Sequence, residues 1–145
     1  MRLDLAEVAL RLLDLGIRDI EHFAFPTAPP RGRMFAALDT LYALGAIDGQ
    51  RTLLPIGKKM AAYPLSPALA RIVLEAGETA PEVLSDVCVV AAWLSSRSPM
   101  SMPTGQEDAA RKAHGSWAHP LGDALAALKC FTAWKRAEDR AKFCQ

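Results

Sequence analysis

Through almost the whole chain, apolar residues recur three and four positions apart, and proline or glycine marks the places where that rhythm breaks. Side chains at that spacing share one face of an α-helix, whereas a half-buried strand needs alternation, so the pattern commits the chain to helices joined by stiff or tight connections. In the first segment Asp4 and Glu7 stand in the relation of a capping box, and Leu5, Val8, Ala9, Leu12 and Leu13 form a stripe that runs to Gly16. A short turn at Asp19 to Phe23 leads into FPTAPPRG, whose prolines cannot continue a helix. The next stripe, Met34, Leu38 and Leu41, follows Arg31 and stops at Gly45. IDGQRTL is apolar at both ends around an Asp-Gly turn signal and predicts a short β-hairpin. Pro55 then opens a helix with Ile56, Met60 and Tyr63 on its inner face.

Beyond YPLSP the hairpin signals vanish. Ser66 and Pro67 fit the N-cap and first position of a helix whose stripe is Leu69, Ile72, Val73 and Ala76, ending near Gly77. Pro81 opens a more apolar helix with Leu84, Val87, Cys88, Ala91 and Leu94 on one face and Val83, Val90 and Trp93 beside it. Such breadth predicts burial on more than one side, as in the middle of a bundle. SSRSPMSMPTG reads as a loop, Gln106 to His114 as a polar helix, and Pro120 as the start of a long helix carrying Leu121, Leu125, Leu128 and Phe131 and ending in WKRAEDR. The fold class is mainly α: a winged-helix-like unit with one short β-hairpin over residues 1–65, then a helical bundle over 66–145. The junction Tyr63-Pro64-Leu65-Ser66-Pro67 is expected to be packed, since two prolines stiffen it and its apolar members need partners. Phe143 and Cys144 come with no stop signal after them, so the natural protein is expected to continue.

Composition removes several functions. With 145 residues, 51% of them hydrophobic, the chain can bury a real core. Its longest apolar run, Val87 to Leu94, is far shorter than the roughly 20 residues of a membrane span. The N-terminal stretch carries acids and no small-residue cleavage site, so an intracellular protein is expected, nuclear or cytoplasmic, with no membrane partner. Cys88, Cys130 and Cys144 form no C-x-x-C pair and suggest neither a disulfide framework nor a zinc site. No G-x-x-x-x-G-K-[ST] or G-x-G-x-x-G loop is present to cradle a nucleotide, and the spacing of His22, His114 and His119 demands neither a triad nor a metal site. No catalytic, cofactor-binding or metal-binding residue is therefore predicted in this chain.

Formal net charge is only +1. Residues 1–65 hold eight basic against seven acidic groups, 66–105 two against four, and 106–145 seven against five. If nucleic acid is bound, a few placed contacts must do it. The candidates are Arg97, among serines and prolines at a helix end, and Arg111, Lys112, His119 and Lys129, which with His114 gather around one connection between helices. A patch of that size gives weak, salt-sensitive, sequence-blind contact with a single strand, and solvated surface charge is the competing reading. Trp117 and Trp134 could stack bases, with buried anchors the preferred reading. Arg31 and Arg33 open the helix that a DNA-binding winged helix would use for recognition, but Asp39, Thr40 and small residues follow them, not a base-reading set. A hinge piece and docking surface fits that unit better. Lys58 and Lys59 read as the solvated outer face of their helix.

Several motifs occur together in one order: LAEVALRLLDLGI, F-x-F-x-x-x-P-P, ALDTLYALGAID, PIGKKMAAYPLSPALARIVLEA and AHPLGD followed by AW. On them the chain resembles, over essentially its whole length, the helicase-associated region of DEAH-box RNA helicases. The resemblance implies a winged helix and a ratchet-like bundle that follow two RecA-like ATPase domains and precede an OB-fold. It implies ATP and Mg bound in the RecA-like domains, none in this fragment, and no ATPase activity from this chain alone. The implied partners are single-stranded RNA, the RecA-like and OB-fold domains of the same chain and, in part of the family, a glycine-rich activator protein. Two positions depart from the family pattern: Leu54 stands where a capping Thr is common, and Ala124 follows Gly122-Asp123 where the family often has His. From the residues alone, a stand-alone winged-helix DNA-binding regulator and a helical protein-interaction module stay as alternatives.

Overall fold

A computed structural model describes residues 4–96, 100 and 102–143. They form helices α1 (Leu5–Asp14), α2 (Arg31–Ala43), α3 (Pro55–Ala61), α4 (Pro67–Thr79), α5 (Leu84–Ser95), α6 (Glu107–Gly115), α7 (Asp123–Arg136) and α8 (Arg140–Phe143), with a 3₁₀ turn at Pro81–Val83 before α5. The chain is mainly α, and its contacts divide it into two compact bodies, one through Thr79 and the other from Ala80 onward.

In the first body, α1 begins where the Asp4 carboxylate accepts the Ala6 N–H at 3.0 Å. Only half of the expected capping box forms, because Glu7 turns instead to Arg11 one turn on, at 3.6 Å. Gly16 ends the helix at φ 86°, with its own N–H bonded to Leu13 O and the Ile17 N–H bonded to Leu12 O. These two bonds make a Schellman cap, which needs a left-handed residue that glycine adopts without a Cβ penalty. Gly45 closes α2 in the same way, through Tyr42 O and Leu41 O, at φ 69°. The core between α1, α2 and α3 is built from Ala9, Leu10, Leu13, Leu38, Leu41, Ile47 and Met60.

The expected hairpin reduces to one isolated antiparallel bridge, Ile47 to Leu53. Its loop is held by Asp48, whose side chain accepts the N–H groups of Gln50 at 2.9 Å and Thr52 at 2.8 Å. The left-handed residue is Arg51, at φ 62°, and not the glycine of the Asp-Gly pair. The Asp48 carboxylate reinforces a tight turn closed by the Arg51 N–H on Asp48 O at 3.0 Å, and the pairing beyond it stops after the Asp48 N–H to Thr52 O and Leu54 N–H to Ala46 O bonds, because Pro55 turns the chain into α3.

Leu54 precedes α3 with no side-chain cap bond, as its departure from threonine implies. The Tyr63-to-Pro67 junction is packed: Pro67 is fully buried, and Tyr63 and Leu65 lie against the core. Helix α4 packs on α3 and α1, which is why it falls within the first body. Its buried face is Pro67, Ala70, Val73 and Ala76, a rotation away from the expected stripe, and Ile72 is 52% exposed. The helix also runs through Gly77 to Thr79.

In the second body α5 packs on α7, and α8 on α7. The predicted burial of α5 on more than one side is not found among the described residues: Ala91 is its one buried residue, Leu94 is 53% exposed and Cys88 is exposed. Helix α7 starts at Asp123 rather than at Pro120, leaving Leu121 78% exposed, and buries Ala127.

Candidate nucleic-acid interface

Helix α6 fully buries no residue, so local chemistry carries much of its stability. Glu107 and Asp108 sit in its first turn and Lys112 and His114 in its last, each sign at the end of the helix dipole that favours it. Glu107 pairs with Arg111, and Asp108 with Lys112, at the four-residue spacing of helical ion pairs, yet neither pair closes among the described residues. The Glu107 carboxylate turns back to accept the Gly105 N–H at 2.9 Å, and that bond holds its carboxyl below the usual range. Arg111 and Lys112 are left adjacent and exposed on a solvent-facing helix.

The connection from α6 to α7 is tied by two of the other predicted residues. Lys129 Nζ donates to Ser116 O at 2.6 Å, which pins the end of α6 to the second turn of α7. His119 Nδ1 accepts the Leu121 N–H at 3.2 Å, so in this arrangement the ring is a backbone acceptor on that side. Structure thus gathers His119 and Lys129 at one connection with Arg111 and Lys112 on the helix before it, while Arg97 lies outside the described residues. The bond to Ser116 O gives Lys129 a structural role, and it uses one of the three N–H donors of the ammonium group. His114, Trp117 and Asp123 line one small hollow with Trp93 and Ala126.

Both tryptophans at issue are half-buried and ring-partnered. Trp117 meets Phe143 edge to face at 5.5 Å between centroids, and Trp134 stacks on Phe131 at 5.6 Å with the Arg140 guanidinium 5.0 Å from its ring centroid. Rings so engaged are anchors rather than free stacking platforms.

In the first body the exposed surface of α2 carries Arg31, Arg33, Phe35, Asp39, Thr40 and Tyr42. The Thr40 hydroxyl is spent on Ala36 O at 2.8 Å, which leaves no bidentate amide or guanidinium in the middle of the helix to read a base edge. Lys59 pairs with Glu78 at 3.2 Å. Arg51, missed from the sequence, joins three elements: it pairs with Glu21 and lies 5.3 Å from the Phe35 ring centroid. The signal that could have found it is weak, because left-handed arginine has no sequence signature beyond the loop that requires it.

No group of three or more His, Cys, Asp or Glu residues that could hold a metal occurs among the described residues. None of their helices is long and apolar enough to cross a membrane.

A mainly helical chain of two compact bodies is the class that the fold defines. Residues 37–65 match the winged-helix part of the helicase associated domain (HA2), and residues 66–143 match its ratchet-like part. The chain therefore belongs to the helicase-associated domain family, the region it resembles in DEAH-box RNA helicases. Its relatives include the ATP-dependent RNA helicase HrpA of Borreliella burgdorferi, 34% identical over 98% of this chain, and the pre-mRNA-splicing factor ATP-dependent RNA helicase prp22 of Schizosaccharomyces pombe, 35% identical over 92%. A probable ATP-dependent RNA helicase of Homo sapiens, DHX35, is 35% identical over 99%. The chain spans 17%, 11% and 20% of the lengths of these three proteins.

Proposed function

We propose that this chain is the accessory region of an ATP-dependent DEAH-box RNA helicase, active inside the cell. In this reading RecA-like domains elsewhere in the protein bind and hydrolyse ATP with Mg. The winged-helix-like unit, residues 1–65, is a hinge piece and docking surface for those domains, an OB-fold or a glycine-rich activator. The ratchet-like unit, 66–145, lines a single-stranded RNA channel. The observation that carries the RNA role is the adjacent pair Arg111 and Lys112, exposed on a helix that buries nothing and joined to no carboxylate among the described residues. Two cations beside the His119–Lys129 connection supply weak, releasable phosphate contact, the quality that a motor moving along a strand requires.

The test is made in the full-length protein. Replacing Arg97, Arg111 and Lys112 together with alanine should weaken binding of a single-stranded RNA oligonucleotide and flatten its salt dependence by about 0.7 per lost contact. Sequence preference should not change. Lys129 is left in place because its loss would also untie Ser116. Unchanged affinity and salt slope, with an unchanged melting temperature, would refute the RNA role. A DNA-regulator reading would require duplex DNA to bind more tightly than single-stranded RNA, and the surface of α2 offers Arg31 and Arg33 at its start but no base-reading side chain in its middle.

A further inference from the structure

Helix α6 ends differently from the first two helices of the chain. Helices α1 and α2 stop at a left-handed glycine, Gly16 or Gly45, that closes a Schellman cap. In α6 the last residue is also a glycine, Gly115, but it is not in the left-handed region, and Ser116 after it keeps right-handed helical angles. The chain leaves the helix through three successive tightened turns, in which the N–H groups of Ser116, Trp117 and Ala118 bond to the carbonyls three residues back at 3.3, 2.9 and 3.2 Å. The next carbonyl, that of Ser116, is taken by Lys129 Nζ at 2.6 Å, from the second turn of α7. A cation on the last carbonyls of a helix stands where the helix dipole favours it.

Little else holds α6. It fully buries no residue, and among the described residues no helix packs on it as α7 packs on α5. With 9 residues it is shorter than the roughly 12 that an isolated helix needs to be stable in water. Beside the Lys129 bond, Trp117 meets Phe143 edge to face at 5.5 Å. Both supports act at the C-terminal end, and fraying from that end reaches Lys112, four residues before Ser116, within one turn.

We propose that Lys129 is a positioning residue. Its ammonium group takes the place of a glycine cap, fixes where α6 ends and thereby how Arg111 and Lys112 are held, and takes no phosphate itself. This use of the tie rests on the reading of Arg111 and Lys112 as RNA contacts, and it gives Lys129, which charge alone would group with them, a different task. Helix α7 is a fixed anchor for the tie because it packs on α5.

The experiment uses the full-length protein with K129M, which keeps the length of the stem and loses every N–H donor, and K129R, which keeps donors and charge. In hydrogen exchange followed by mass spectrometry, K129M should speed exchange of the amides of residues 111–118 by about fivefold or more and leave residues 86–95 unchanged, and K129R should restore the slow rates. With a single-stranded oligouridine probe, K129M should weaken binding by about threefold or more, because fewer molecules hold the last turn of α6, and the salt slope should stay that of the parent protein. K129R should bind as the parent does, and K129M added to R111A/K112A should weaken binding no further. Unchanged exchange over 111–118 would overturn the tie. A salt slope flattened by about 0.7 in K129M, or a loss that adds to that of R111A/K112A, would overturn the positioning role and make Lys129 a phosphate contact. Binding untouched by K129M but weakened by R111A/K112A would overturn it too. If R111A/K112A binds the probe as the parent does, the RNA reading falls and this role of Lys129 with it, while the exchange rates decide separately whether the tie holds α6.

Discussion

Gly57 in α3 gives the sharpest test of how the first body is assembled. A Cβ built at this position would lie 2.2 Å from the Ala46 carbonyl oxygen and 2.7 Å from Leu53 Cδ1. The leucine methyl can swing away, but the carbonyl cannot, because it accepts the Leu54 N–H at 2.9 Å and is fixed on both sides of the Ile47–Leu53 bridge. Gly57→Ala must therefore push α3 about 1 Å off the bridge segment, an overpacking cost of about 1–3 kcal/mol. Loss of the Leu54 bond adds about 1 kcal/mol. Alanine's better helix propensity returns up to about 1 kcal/mol, so the net destabilisation is about 2 kcal/mol. For a body of this size that lowers the melting temperature by roughly 8–16 °C. Thermal unfolding of the chain, followed by circular dichroism, measures it. Gly32→Ala in α2 and Gly49→Ala in the loop are the controls, since an added Cβ meets nothing within 4 Å at either site. A G57A chain as stable as these controls would refute the close approach of α3 to Ala46.

Asp4→Ala should cost about 1 kcal/mol by removing the cap on the Ala6 N–H, while Asp4→Asn should cost less, both read from the same unfolding curves. At Arg51, alanine loses the Glu21 and Phe35 contacts and keeps the left-handed backbone, whereas glycine loses the contacts and relieves the strain. R51G should therefore be about 1 kcal/mol more stable than R51A, and equal values would show that the backbone there is not left-handed. The His22 side-chain hydrogen bond to Asp19 holds the Asp19 carboxyl below its ordinary value. A lowered folded value contributes stability above the unfolded value and loses it as pH falls through the folded one, so an NMR titration should show Asp19 protonating later on acidification than the same residue in a His22→Ala chain. Limited proteolysis should spare residues 63–67, where Pro67 is fully buried, and early cleavage there would mean that the junction opens.

Sequence by itself determined where the first two helices stop. Gly16 and Gly45 terminate α1 and α2 because only a residue without a Cβ enters the left-handed region cheaply, and that requirement is local. The stripes of α1 and α2 were legible because their spacing is local, and the succession of motifs carried the family. That His119 and Lys129 lie at the connection between α6 and α7 was legible, because helix ends that are close in sequence are close in space. What each cation does there was not. Lys129 reaches Ser116 across thirteen residues, and no spacing rule encodes such a bond. Tertiary structure alone decided which side of an apolar helix finds a neighbour. Periodicity states which positions share a face, not which of two apolar faces is covered, so α4 turned Ala70 inward and Ile72 outward, and α5 kept one side open. The hairpin was legible as a turn and not as a ladder: Asp48 to Arg51 closes as a tight turn, but Pro55 starts α3 directly after Leu54, so the pairing ends at the Ile47–Leu53 bridge.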